Sequence, residues 1–166
     1  MKRFMSAVVK RSKKVAFYGV PTENSDGKTY QFYRMKGFES ISTAKNPKEY
    51  SRQYVDEEFE QTDVVGYTPT ISFGFDRFEG DAVHEDIISV FDDEKLGADA
   101  IRPIIMVDTE DGESSAIKRD FLVVAENEGS GTDLYKYEGS FRVKGEKIAG
   151  VATTDDNWQT CSFVEA

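Results

Sequence analysis

Apolar and polar residues alternate singly through Ile71-Ser72-Phe73-Gly74-Phe75-Asp76, the period-two pattern of a strand with one buried face. Ile71, Phe73 and Phe75 then share the core side. Further along, the period changes: Val83, Ile87, Val90 and Phe91 fall at i, i+4, i+7 and i+8, the stripe of an amphipathic helix that lies on a sheet. Asp81 is placed to cap it, Glu85 and Asp86 sit early where the helix dipole favours acids, and Gly97 follows Leu96 as a closing residue. The spacing predicts a helix over about 81–96.

The rest of the chain reads as strands. Val15–Val20 is β-branched and aromatic and stops at Pro21, and the turn cluster Asn24-Ser25-Asp26-Gly27 leads to Tyr30–Met35, which together predict a hairpin. Strands are expected at Tyr54–Glu60 and Thr70–Phe75, with Pro69 at a strand entry. Ile101–Val107 and Lys118–Ala125 read as a long-looped hairpin across Asp108–Glu113. Leu134–Tyr137, Gly139–Lys144, Lys147–Thr154 and Trp158–Val164 complete about nine strands, with a turn at Glu126–Thr132 and a tight one at Gly145-Glu146. The expected fold is mainly β: a β-sandwich or partly closed barrel with one flanking helix. All 166 residues form one domain, long enough to bury about 70 % of the unfolded surface without staples.

One stretch departs from this regularity. Ser42–Tyr54 is polar and rich in Tyr and has almost no apolar run; it leads through Val55-Asp56-Glu57-Glu58-Phe59-Glu60 to the turn-like Thr62–Tyr67. A polar excursion this long in a strand-rich domain is expected to touch another molecule. Tyr50, Arg52 and Tyr54 are the residue types that anchor interfaces.

Charge is distributed unevenly around the net of −10. Lys2, Arg3, Lys10, Arg11, Lys13 and Lys14 precede Glu23 with no acid among them, so all 31 acids belong to the remainder. A basic arm, Met1–Lys14, is attached to an acidic body. Opposite charges on one chain make the surface self-complementary, which places Lys10, Arg11, Lys13 and Lys14 against acids of neighbouring copies; the plain alternative is a solvated terminus. Met1, Phe4, Met5, Val8 and Val9 also fall at helical spacing, although over barely two turns. No signal peptide is expected, because no apolar core of adequate length precedes Lys10. No window approaches a membrane span, and an acidic body argues against gripping nucleic acid.

Catalytic chemistry finds little to stand on. His84 is the only histidine, on the first helical turn, and Cys161 is the only cysteine, on a strand without a Gly-rich elbow; both read as packed side chains. Asp108–Glu113 lacks the ligand order of a calcium loop, and no phosphate loop, CxxC pair or HExxH is present. No cofactor or metal is expected.

Lys45-Asn46-Pro47-Lys48-Glu49-Tyr50, Arg52–Glu57, Thr62-Asp63-Val64-Val65-Gly66-Tyr67-Thr68-Pro69 and Ile71–Asp76, followed by the helix and by C-terminal strands ending Ala152-Thr153-Thr154-Asp155, resemble the major tail (tail tube) proteins of long-tailed bacteriophages and phage-like particles. The likeness covers about Tyr30 to the C-terminus. It implies a virion structural subunit made in the bacterial host cytoplasm, six copies of which form a ring whose inner strands join into one barrel. Rings would stack into a tube that delivers DNA or protein to the host cell. Its partners would be further copies of itself, terminator, tape-measure and baseplate or tip proteins, and a sheath where the tail contracts; DNA would pass without specific binding. On that reading Ser42–Tyr67 is an inter-subunit loop, and Asp56, Glu58 and Glu60 face the lumen or its rim from one strand face. Away from the resemblance, an acidic β-sandwich hydrolase and a monomeric binding module remain the alternatives.

Overall fold

A computed structural model describes residues 11–24, 27–109, 114–129 and 132–166. The helical reading of Met1–Val9, the central Ser25-Asp26 of the first turn and most of the Asp108–Glu113 loop fall outside these residues. In chain order the elements are β1 (Lys14–Asn24), β2 (Gly27–Arg34), β3 (Phe38–Ala44), β4 (Pro47–Arg52), β5 (Gln61–Tyr67), β6 (Thr70–Asp76), α1 (Ala82–Asp92), β7 (Ile101–Asp108), β8 (Ser115–Glu128), β9 (Lys136–Val143), β10 (Ile148–Thr153) and β11 (Thr160–Glu165). Short 3-10 turns occupy Arg11–Lys13 and Gly97–Ala100.

Nine strands form one sheet in the order β10-β11-β2-β1-β7-β8-β9-β6-β3, and β10 pairs again with β8. The first six therefore close into a small barrel. The long β8 makes this closure: Ser115–Lys118 pair with β10, Phe121–Glu128 pair with β9, and Ala116–Leu122 pair with β7 on the opposite flank. Past the barrel, the second half of β8 continues with β9, β6 and β3 as a four-stranded wing. The fold is thus mainly β, with a partly closed barrel and one flanking helix as the sequence predicts, and the open wing in addition.

Two apolar layers explain the shape. Val15, Phe17, Phe32, Ile105, Val107 and Cys161 fill the barrel. The alternate residues of the same strands, Ala16, Tyr18 and Ile104, face the other way and join the wing and the helix in the larger core. β1 and β7 are buried on both faces, which is why they read as nearly continuous apolar runs. On the wing, Ile71, Phe73, Phe75 and Phe141 meet Val83, Ile87, Val90 and Phe91 of α1. Phe73 stacks on Phe141 with centroids 4.3 Å apart, and its cross-strand partner is Gly139. A Cβ on Gly139 would lie 2.9 Å from the Phe73 ring and 2.4 Å from the Val124 carbonyl oxygen, so only glycine fits.

The helix begins as expected: Asp81 Oδ1 accepts from the amides of Val83 at 3.0 Å and His84 at 3.2 Å. It ends sooner than Gly97 predicts. Glu94 takes the left-handed conformation at φ 49°, Glu94 N–H donates to Phe91 O and Lys95 N–H to Val90 O, the closing pattern of a Schellman motif. Three acids at 92–94 oppose the dipole, no base occupies the last turn, and the apolar stripe stops at Phe91, so nothing supports another turn. Gly97 instead opens the 3-10 turn.

Other expectations need correction. β1 runs through Pro21 to Asn24 because beyond Tyr18 it has only β2 beside it, and a proline is tolerated on such an edge. The two segments predicted at 134–144 are one strand, β9, with Leu134 and Tyr135 exposed before it. β3 was not foreseen, since its pattern of Ser, Thr and Glu hides a partner strand. The largest error concerns residues 45–67: the segment 54–60 is not a strand but the turn between β4 and β5, and 62–67, read as a turn, is β5.

Candidate assembly surfaces

The β4–β5 hairpin is a two-stranded sheet of its own, in register from Pro47↔Tyr67 to Arg52↔Gln61 with a bulge at Lys48/Glu49. Its root is tied by reciprocal bonds: Thr68 N–H donates to Asn46 O at 3.3 Å, and Asn46 Nδ2 donates to Thr68 O at 3.1 Å. All of β4 and nearly all of β5 are exposed. Neither hairpin face is covered, so apolar alternation carried no register signal there, and a one-residue slip would have cost nothing in burial.

The structure brings Tyr50, Arg52 and Tyr54 together. Arg52 lies 5.7 Å from the Tyr54 ring centroid and donates to the Tyr50 hydroxyl at 3.2 Å. Asp56, Glu58 and Glu60 do not share a strand face; they ring the turn at the hairpin tip. The turn is held locally, with Glu57 N–H on Tyr54 O, Gln53 Nε2 on Glu57 O at 3.1 Å, and Gln61 Nε2 on the Glu57 carboxylate at 2.6 Å. Val55 and Phe59 stand out from it at 108 % and 80 % exposure.

Of the basic arm, Lys10 and the Arg11 side chain lie outside the described residues. Lys13 is exposed. Lys14 Nζ meets Asp108 Oδ2 of its own chain at 2.6 Å, because β1 pairs with β7 in the register Lys14↔Asp108. That ammonium already has an acid, which weakens its claim on a neighbour's.

The wing offers two strand edges. β3 pairs only with β6, and the half of β8 beyond Leu122 pairs only with β9, having left β7 behind. The face of the wing turned away from α1 is polar. Ser42, Ser72 and Ser140 follow one another in register across three strands, flanked by charges that answer each other: Lys136 pairs with Glu39 at 2.6 Å and with Glu138 at 3.2 Å. Ser140 donates to the Glu126 carboxylate at 3.1 Å.

The buried polar groups serve packing. Asp86 on α1 accepts from the Tyr18 hydroxyl at 2.5 Å and from Arg102 Nε at 2.9 Å, while Arg102 also donates to the carbonyls of Asp99 and Ile101. The cluster pins the helix to β1 and β7, and burial, with Asp86 beside it, raises the Tyr18 hydroxyl well above its ordinary pKa. His84 is fully buried; its Nδ1 accepts from Phe78 N–H at 3.2 Å, so Nε2 carries the proton and donates to Lys36 O at 2.6 Å. Burial pushes the Cys161 thiol up to about 12, the opposite of an activated nucleophile. Among the described residues no cluster of three or more His, Cys, Asp or Glu is placed to hold a metal, and no helix is long and apolar enough to cross a membrane.

No protein-family profile matches the sequence, and no curated protein matches it significantly. Solved structures do match in fold. A chain from the tail of an empty gene transfer agent particle, refined with C6 symmetry, aligns with TM-score 0.58 and 10 % identity over 84 % of this chain and 97 % of that one. A chain of the anti-feeding prophage tube-terminating cap aligns with TM-score 0.57 and 12 % identity over 92 % and 97 %. The fold is tail-tube-like. A chain of the sheath/tube terminator of the PVC extracellular contractile injection system, in its extended state, aligns with TM-score 0.53 and 10 % identity over 87 % and 97 %. At such identities the likeness is one of tail-tube-like architecture, and the side chains of the hairpin and the wing are this chain's own.

Sequence reasoning singled out Tyr50, Arg52 and Tyr54, which the structure brings together, because they were conspicuous in a polar stretch. It missed the wing's edges and the Tyr18–Asp86–Arg102 cluster. Those depend on which strands pair, and residues 18, 86 and 102 carry no local motif.

Proposed function

We propose that this chain is a structural, non-catalytic subunit of a phage-like tail tube, in which hexameric rings stack into a conduit for DNA or protein. The observation that carries this reading is the wing: a four-stranded sheet left open at β3 on one side and at the second half of β8 on the other, continuing from a barrel that is itself closed. An exposed edge is a template for pairing with another chain, and two edges on one sheet are satisfied by a heterologous contact that closes a ring. The C6 symmetry of the gene transfer agent tail supports six as the ring number.

In such a ring the polar face of the wing, with Ser42 and Ser72 exposed and Ser140 buried on Glu126, lines the lumen, because α1 covers the other face. Small hydroxyl side chains and self-paired charges leave little for a phosphate backbone to hold, the reverse of a basic binding groove. The hairpin, with Tyr50, Arg52 and Tyr54, reaches a neighbouring copy, and Asp56, Glu58 and Glu60 act at that contact from the tip. Lys10, Arg11 and Lys13 supply further contacts to acidic neighbours; terminator, tape-measure, baseplate and, in a contractile tail, sheath proteins are the remaining partners.

Two of the matched chains belong to terminators, which favours a second reading in which this chain forms one capping ring. Negative-stain electron microscopy of the purified protein over a concentration series separates the two: stacked tubes support the tube subunit, and rings that never stack support the cap. Isolated particles of about 20 kDa at every concentration would overturn both. Proline placed singly along Ser40–Thr43 and Val124–Asn127 should block rings at alternate positions, where the outward N–H is lost, while the monomer remains folded.

A further inference from the structure

Lys45, Tyr67, Pro69, Arg119, Glu146 and Lys147 line an open cleft of about 740 Å³ at the root of the hairpin. Lys45 precedes β4, Arg119 belongs to β8, and Glu146 and Lys147 form the turn into β10. In a chain with a net charge of −10, three cations around one depression stand out. None of them has an ion-pair partner among the described residues. Arg119 is held in place because its Nε donates to Gly145 O at 2.7 Å.

The hairpin tip has the complementary chemistry. Residues 53–60 contain Asp56, Glu57, Glu58 and Glu60 and no base, and Asp56, Glu58 and Glu60 form no ion pair among the described residues. Val55 and Phe59 project beside them, as Tyr67 does among the cations of the cleft, whose wall includes the buried Pro69. Tip and cleft of one molecule cannot meet. The ladder from Pro47↔Tyr67 to Arg52↔Gln61 holds the tip a six-residue strand away from the root, roughly 20 Å at about 3.3 Å per residue.

We infer that the cleft is the receptor for the acidic hairpin tip of a second copy of this chain, with Lys45 and Lys147 meeting Glu58 and Glu60 and Phe59 seated against Tyr67 and Pro69. The contact is heterologous, because each copy gives a tip and receives one, so it propagates from copy to copy or closes a ring. It rests on the self-assembly proposed above and names the surface that receives the hairpin.

The test is a charge exchange. One variant carries Glu58→Lys with Glu60→Lys, the other Lys45→Glu with Lys147→Glu; all four side chains are exposed and have no ion-pair partner among the described residues, and circular dichroism checks that each variant is folded. Light scattering against concentration should show each variant alone needing about tenfold more protein to assemble than wild type, since like charges then face each other. An equimolar mixture should return to within about threefold of wild type. In the mixture the basic tip of one variant finds the acidic cleft of the other, and the unaltered tip and cleft also find each other. Wild-type thresholds for both variants would overturn the contact while leaving the tube intact. Two deficient variants that do not rescue each other would overturn it as well, and would indicate that some other anion fills the cleft. If wild type itself forms neither rings nor tubes, the contact falls together with the tube.

Discussion

The wing and the hairpin are built from similar residues and treat them oppositely. On β6, Phe73 and Phe75 are 3 % and 0 % exposed; on the hairpin, Tyr67 is 61 % and Phe59 80 % exposed. The wing has α1 across one face and strands on both sides of β6 and β9. The hairpin has only its two strands, a unit that is marginal alone in water. Aromatic content therefore does not decide burial; a third layer does. Tyr50, Tyr54, Val55, Phe59 and Tyr67 stand exposed together on one projection, the surface that the proposed contact between copies would cover.

The sharpest way to break this contrast is to cut into the wing. Phe141→Ala should cost about 3–5 kcal/mol of monomer stability, because Phe141 is fully buried against Phe73 and Tyr18; urea unfolding measures it. A loss under about 1 kcal/mol would mean that the wing is not packed as described. Asp86→Ala should cost about 3 kcal/mol or somewhat more, since it leaves the Arg102 guanidinium, with side-chain exposure of only 4 %, without its carboxylate.

Tyr18→Phe is a milder cut and changes the alkaline limb. Because the folded-state pKa of Tyr18 is raised, its contribution is fully present below the ordinary tyrosine value of about 10 and is lost as the pH rises beyond it. Thermal melts of wild type should fall more steeply above that pH than those of the variant. Parallel curves would remove the role assigned to the buried hydroxyl.

On the hairpin the expectation reverses. Phe59→Ser should change monomer stability by no more than about 0.5 kcal/mol. Replacing Pro47–Tyr67 with a two-residue turn should leave the wing's unfolding cooperative, because Ala44 and Thr70 already face each other at the ends of β3 and β6. Both changes should suppress assembly in electron micrographs. A hairpin-deleted protein that still assembled normally would mean that the exposed aromatics serve no contact between copies.

The smallest effect lies at the β10–β11 turn. Asp156 accepts from the amides of Gln159 and Thr160 and from the Thr154 and Thr160 hydroxyls, and the Thr160 bonds above all bring its pKa down to about 2. A depressed carboxylate contributes stability above its ordinary pKa of about 3.9 and loses it as the pH falls toward about 2. Asp156→Asn should flatten the decline of the melting temperature in that window only; an unchanged acid limb would refute the assignment.

Wherever the constraint was local, the pattern of the chain alone was decisive: β6, the helix stripe at 83–91, the Asp81 cap and the β1–β2 hairpin all follow from period and turn chemistry, because each imposes its constraint within a few residues. The helix's C-terminal end escaped that logic, since a Schellman closure at Glu94 could compete with the more obvious glycine. The hairpin register escaped it because neither face is covered, so no side of the alternation was costlier to expose. Barrel closure through β8 and β10, the wing's two open edges, the Tyr18–Asp86–Arg102 cluster and the cleft of Lys45, Arg119 and Lys147 were decided by tertiary structure alone. Each joins residues far apart in the chain, and the free energy that brings them together is gained only when whole strands pair and bury a shared layer.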